Sequence, residues 1–156
     1  MFMDIWSFCE SFYGRQPVEI LSLRLQQENN VVVGLVIWFC WHYAHDRFIP
    51  INIFKQAEKI ISVSQQQLIL PLRQLRKHSL LQQQPHTEKI AKAILQAEIL
   101  LEKNQLELVA EQTAHGIVSH ISPETVGLFD YLLWCGVNDA EQAVYLLYTH
   151  AAASLD

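Results

Sequence analysis

The chain has 156 residues, of which 51% are hydrophobic and 17% are charged, and its formal net charge at pH 7 is −5. This size and composition suit one domain with a buried core, and they exclude a disordered or highly charged protein. The acidic balance argues against general nucleic-acid binding.

Two helices are predicted at the start of the chain. Asp4 can cap the first helix, whose apolar residues follow the spacing of one helical face, and Gly14 ends it. Pro17 suits the first turn of a second helix, which ends near Asn29.

The segment 31–45 is the most apolar part of the sequence. Its valines at 31 to 33 favour a strand, but the segment is long for a strand and no partner strand is visible. With Asn30 as a cap, we predict a helix that is apolar on nearly every side and therefore central in the core. A buried strand stays open as the alternative. Gly34 would let another helix approach closely.

The middle of the chain also has helical patterns. One helix is predicted over about 51–62 and another over about 64–83, where Pro71 should cause a kink or a break. Residues 79–85 then read as a linker.

The longest helical pattern runs from His86 to Ala114, and Gly116 ends it. Its predicted inward stripe is Ile90, Ala93, Ile94, Ala97, Leu101 and Leu108.

Two helices are predicted within about 122–153 at the C-terminal end. Ser122, Pro123 and Glu124 form a helix start signal, and Asn138 with Glu141 resembles a capping box for a helix over 139–153. The whole pattern predicts an all-α single domain over 1–156, with about six or seven helices around the central helix 31–45.

Several local patterns lie in an order that resembles a family of small proteobacterial proteins known only as a domain of unknown function. The matching pieces are Trp6-Ser7-Phe8, Tyr13, Pro17-Val18, Leu25-Gln26, 33–41, 71–77 and Ala97-Glu98. They span about residues 6–105. The resemblance implies no activity, so it bears on fold and compartment only.

The strongest local signal for a site is basic. Arg73, Arg76 and Lys77 share one face of the helix after Pro71, which should turn Leu72 and Leu75 inward. The net charge is +5 over residues 55–92 and −8 over residues 93–156. The cluster therefore either pairs internally with the acidic C-terminal helices, is solvated, or binds a protein partner or a small anionic ligand.

A second group of candidate residues is His42, His45 and Asp46, whose spacing on a helix could place metal ligands together. The alternative is a helix end that emerges into water, where histidine suits the helix dipole. No metal and no cofactor is expected.

Aromatic residues are concentrated in the first 54 residues, which hold eleven of the sixteen. Trp6, Tyr13 and Trp41 could line a ligand pocket, or these rings could simply pack in the core.

The cysteines indicate the compartment. Cys9, Cys40 and Cys135 are odd in number and far apart, so we expect buried reduced thiols in a cytoplasmic, bacterial-type setting. The longest apolar run has eleven residues, whereas a membrane-spanning helix needs about 20, so no span is expected.

Two functions stay open. We favour a non-catalytic helical interaction or regulatory module with a protein partner or a second copy, because no acid, base and nucleophile converge in the sequence. On this ground we lean towards a protein that is not an enzyme. The alternative is a small-molecule binding protein or enzyme, with a site between the aromatic N-terminal half and the helix of Arg73 and Arg76.

Overall fold

A computed structural model describes residues 3–156 as a bundle of helices with one very short β-ribbon. The helices are α1 (Ile5–Tyr13), α2 (Gln16–Asn29), α3 (Val33–Ala44), α4 (Ile51–Ser64), α5 (Leu70–Leu81), α6 (Thr87–Thr113), α7 (Leu128–Trp134) and α8 (Ala140–Ala153). The two strands are β1 (Ile49–Pro50) and β2 (Thr125–Val126). The all-α prediction is confirmed. A π segment, Gln65–Ile69, joins α4 to α5 in one continuous rod, so the predicted six or seven helices agree with this architecture.

The ends of the first two helices follow from the sequence, with one exception. The Asp4 carboxylate accepts hydrogen bonds from the backbone N–H groups of Trp6 and Ser7, as predicted for a cap. Asn30, however, does not cap α3. It ends α2 in the left-handed conformation, with φ of 55°, and α3 begins three residues later, at Val33.

Helix α3 is the centre of the core, as predicted. Every residue from Leu35 to His42 is buried, and Trp38 is fully enclosed. Helices α1, α4, α6, α7 and α8 all pack against α3. The close approach predicted at Gly34 is also confirmed, because a Cβ atom there would lie 2.9 Å from Oε1 of Gln105 on α6.

Helices α4 and α5 form a rod that lies along α6. The predicted disturbance at Pro71 takes the form of the π segment Gln65–Ile69, which ends two residues before the proline. Gln56 and Gln105 tie the rod to α6 through hydrogen bonds with backbone carbonyls of the opposite helix. Helix α5 itself packs chiefly against α6, and none of the residues Leu70–Leu81 is fully buried.

The buried face of α6 differs from the predicted apolar stripe. Ile94, Ala97 and Leu101 are half-buried, but Ile90, Ala93 and Leu108 are exposed. The residues that are buried on α6 are Ala91, Glu98, Gln105, Leu106, Val109 and Thr113. Polar Glu98 and Gln105 were not expected inside, because a single helix pattern assigns polar residues to the solvent side.

The predicted elements did not include the short β-ribbon. Residues 49–50 pair antiparallel with residues 125–126, and strands of two residues show no alternation that a sequence could reveal. The start predicted for the next helix at Ser122 was wrong, although the helix itself is present as α7. Ser122 and Thr125 form a local turn, and α7 begins only after Gly127.

The C-terminal helix α8 lies against α3 and α7. The predicted capping box of Asn138 and Glu141 was wrong, since Asp139 precedes α8 and makes no side-chain capping bond. Asp139 instead accepts a hydrogen bond of 2.7 Å from Arg24, which joins α8 to α2. Among residues 3–156, no helix is both long and apolar enough to cross a bilayer.

Candidate functional site

The arginines of α5 face α6. Nε of Arg76 donates to Oε2 of Glu98, and its Nη2 lies 3.3 Å from Oε1 of the same carboxylate. Arg73 donates from Nη2 to Oε1 of Glu102 at 3.3 Å, and its Nε lies 3.5 Å from Glu98. The two guanidinium groups therefore form a network with two acidic residues of the neighbouring helix.

Glu98 is the buried centre of this network, because its side chain is only 3% exposed. A buried carboxylate is tolerated when hydrogen-bonding cations surround it. The hydrogen bond to Glu98 raises the pKa of Arg76. Burial raises the pKa of Glu102, while Arg73 acts in the opposite direction.

Internal pairing of the basic cluster is thus observed for two of its three members. The acidic partners lie on α6, not on the last two helices, and Lys77 is exposed. The prediction that Leu75 faces inward was wrong, since its side chain is 50% exposed, and Leu72 is half-buried. Helix α5 packs against α6 along one narrow stripe. Arginine is favourable in this stripe because its guanidinium group pairs with the buried carboxylate of Glu98.

Two of the aromatic candidates lie near this network. The Lys103 ammonium is 5.8 Å from the centre of the Trp6 ring. Burial is the main cause that raises the pKa of Tyr13, the charges of Glu19 and Glu102 add to it, and Arg73 opposes it. The structure therefore places α1 on the same side of the α5–α6 pair as Arg73 and Lys103.

Trp41 does not belong to this group. Its side chain is buried in the core, and its indole N–H donates to the Met3 carbonyl at 2.8 Å. The guanidinium of Arg47 lies 4.4 Å from the centre of the Trp41 ring. Trp41 is thus a structural residue at the end of α3.

His42, His45 and Asp46 do not form a metal site. No group of three His, Cys, Asp or Glu residues in the described part of the chain is placed to hold a metal ion. The alternative prediction, a helix end in water, was wrong for His42, which is 1% exposed. Its ring packs against Trp38 and Trp41, at centroid distances of 5.3 and 4.7 Å.

The buried imidazole of His42 is electrostatically unusual. Neither ring nitrogen has a hydrogen-bond partner among residues 3–156. Burial, with smaller contributions from the charges of Arg47 and His45, lowers its pKa to about 3. His42 is therefore a neutral core residue at pH 7.

The cysteines are free thiols, of which Cys9 and Cys40 are buried and Cys135 is half-buried. Burial raises the pKa of Cys9 to about 12, and burial also raises those of Cys40 and Cys135. Because the thiolate is the nucleophilic form, these environments suppress thiol reactivity.

Two open depressions mark the surface. One of about 530 Å³ is lined by Arg47, Ser119 and His120 among others. The other, of about 470 Å³, lies at the tip of the α5–α6 hairpin between Leu80 and Lys89. Neither is lined by the arginine network or by Tyr13.

Exposed aliphatic side chains form a further surface on the α5–α6 hairpin. We call the following residues the outer face: Leu68, Leu75, Ile90, Leu100 and Leu108. Their exposed fractions run from 37% at Leu108 to 67% at Leu100. Sequence reasoning missed this surface, because it assigned the apolar residues Leu75, Ile90 and Leu108 to the core.

The outer face points away from α1. At about 100° per residue, Leu75 lies on the flank of α5 opposite to Arg73. Leu68 is exposed in the π segment that precedes α5. Ile90 and Leu108 lie on the flank of α6 opposite to Lys103 by the same geometry. Since Arg73 and Lys103 mark the side of α1, Leu75, Ile90 and Leu108 lie on the other side of the hairpin. The exposed Ile99, four residues before Lys103, lies on the side of α1 and is not part of the outer face.

A family model described as a protein of unknown function, DUF2390, matches residues 4–109. The chain belongs to this family. The match confirms the resemblance to a domain of unknown function, while a proteobacterial origin stays a prediction. No curated protein and no solved structure matched the chain.

The DUF2390 region contains the arginine network and nearly all of the hairpin. It begins at the Asp4 cap and ends at Val109, within the last turns of α6. Helices α7 and α8 lie beyond the match. The outer face is therefore part of the family region and not an addition at the C-terminal end.

Proposed function

We propose that this DUF2390 protein is a non-catalytic helical interaction or regulatory module that binds a protein partner through the outer face. The observation that carries the proposal is the exposure of aliphatic side chains on both helices of one hairpin. Large apolar side chains grouped on one surface are typical of protein-binding sites. Helical partners commonly dock in such a groove through residues spaced by three and four.

The arginine network supports a structural role for the basic cluster. An anionic ligand at Arg73 and Arg76 would have to displace Glu98, and the displaced carboxylate would remain buried without its cations. Separating a buried ion pair in this way is strongly unfavourable. The alternative function, a site for a small anionic ligand between α1 and α5, therefore has less support.

We also propose a bacterial cytosol as the compartment. The support is the free state of Cys9, Cys40 and Cys135, since thiols persist in reducing compartments, together with the proteobacterial resemblance described above.

The test is site-specific photo-crosslinking in the native host. A photoreactive phenylalanine analogue replaces Leu75, and a matched variant carries it at Tyr145 on α8, which is 76% exposed and lies outside the hairpin. We expect a covalent adduct of defined mass to another polypeptide from position 75 and not from position 145. If position 75 gives no adduct while the protein is folded and expressed, the proposal is wrong.

A further inference from the structure

One stripe of α6, made of five apolar residues and Asn104, has a spacing that is symmetric about its midpoint. Ile90, Ile94, Ala97, Leu101 and Leu108, with Asn104 between the last two, follow one another at alternating intervals of four and three residues. This is a heptad pattern, and it is symmetric about residue 99. An antiparallel copy of α6 would thus place Ile90 opposite Leu108 and Ala97 opposite Leu101.

We propose that the outer face binds a second copy of this chain, with the two α6 helices antiparallel across a two-fold axis near residue 99. This inference rests on the proposed function and names its partner. A two-fold interface requires one self-complementary surface, and a stripe that is symmetric in position and apolar everywhere except at Asn104, opposite Ile94, meets this requirement. The two hairpins would then form a four-helix arrangement.

Helix α5 contributes the second row of this surface. Leu72 and Leu75 on α5, and Leu68 in the π segment before it, follow at intervals of four and three residues. Leu68 and Leu75 are 48% and 50% exposed, so each still has apolar area for a partner to bury. The heptad spacing on α6 suits packing at a shallow crossing angle.

The charges at the two ends of α6 fit an antiparallel copy. Lys89 is exposed near the N-terminal end of the helix, and Glu107 and Glu111 are exposed near its C-terminal end. An antiparallel copy brings Lys89 of one chain near Glu107 and Glu111 of the other, twice in the dimer. A parallel copy would place Lys89 near Lys89 and Glu107 near Glu107, which is unfavourable.

Leu100 lies closest to the axis. It is 67% exposed, and it stands beside the apolar stripe on the side away from Glu98. In the antiparallel arrangement the flanking positions pair so that Leu100 meets Leu100 of the second copy, whereas Ala93 meets Glu107. This difference gives a direct test of the register.

The first experiment measures self-association of the full chain by sedimentation equilibrium. We expect a dimer with a dissociation constant below about 100 µM. Leu75→Glu should weaken it about tenfold or more, because a charge enters the interface. The matched control Tyr145→Glu should leave it unchanged. A wild-type chain that stays monomeric at this concentration overturns the inference.

The second experiment fixes the orientation by disulfide trapping in a glutathione redox buffer, with circular dichroism as the check on folding. We expect Leu100→Cys to give a covalent dimer. Ala93→Cys, on the same flank one heptad earlier, should not, because it has no matching cysteine in an antiparallel copy. Equal trapping at both positions, or none at position 100, overturns the antiparallel dimer.

The two proposals can fail separately. If the chain is monomeric but the photoreactive group at position 75 joins a different protein, the second copy is wrong and the interaction module stands. If position 75 joins nothing and the chain is monomeric, both proposals are wrong. A covalent dimer of this chain from position 75, together with trapping at Leu100→Cys, supports both.

Discussion

His42 should make the stability of the fold sensitive to acid, and His42→Leu should remove that sensitivity. The imidazole is buried between Trp38 and Trp41 and has no hydrogen-bond partner among residues 3–156. Leucine has a similar volume and leaves no partner group unpaired. We therefore expect His42→Leu to be neutral or stabilising at pH 7.

The magnitude follows from the pKa of His42 in the two states. Folding lowers this pKa from 6.5 to about 3, so the unfolded chain binds the proton more readily than the folded chain. The contribution to stability is present above pH 6.5 and is lost as the pH falls towards 3. Between pH 7 and pH 5 the loss amounts to about 2 kcal/mol.

The assay is urea unfolding at several pH values between 7 and 5, for the wild type, for His42→Leu and for the exposed control His120→Gln. Carboxylates that titrate in this range contribute equally to all three proteins, so the difference between wild type and His42→Leu isolates the imidazole. We expect that difference to change by about 2 kcal/mol over this range, and His120→Gln to follow the wild type. Parallel pH curves for wild type and His42→Leu would refute the reasoning.

Three further substitutions test other parts of the fold by urea unfolding. Glu98→Ala should lower the free energy of unfolding by about 2 kcal/mol. The loss is smaller than for a fully buried pair because Arg76 is 24% exposed and can reach water. If Glu98→Ala costs as much in an Arg76→Met background as in the wild type, the pairing is contradicted. Gly116→Ala should destabilise by about 1–3 kcal/mol, since its Cβ would lie 2.1 Å from Cδ1 of Ile53; relief of the loss by Ile53→Ala is the check. Asp4→Ala should destabilise the fold by about 1 kcal/mol through loss of the α1 cap. Asp4→Asn should retain most of the wild-type stability, because asparagine can also cap a helix.

The core could be predicted because its signals are local. Of the eight successive residues from Leu35 to His42, only the histidine is polar. Helix α3 therefore has no polar face that could be turned towards water, and it must lie inside the core. The cap at Asp4 is equally local, because a carboxylate two and three residues before free N–H groups satisfies them in any tertiary setting.

The candidate site was less predictable, for a different reason. The spacing of Arg73 and Arg76 showed that they share a face, but not that Glu98 would lie opposite them. A helical pattern assigns a glutamate to the solvent side, and only the position of the paired arginines shows that it is buried. The leucines beside the arginines were assigned to the core because apolar residues usually lie inside.

The sequence by itself determined the helical class, the central position of α3, the close approach at Gly34 and the family. The tertiary structure decided which faces are covered. Helical periodicity shows that apolar residues share a side, but only the arrangement of the other helices supplies a partner for that side. Several helices pack around α3 and cover it on different sides. Helix α5 and the first half of α6 pack mainly against each other. The arginine network lies between these two helices, and the outer face remains exposed because no other helix in the described part of the chain covers it.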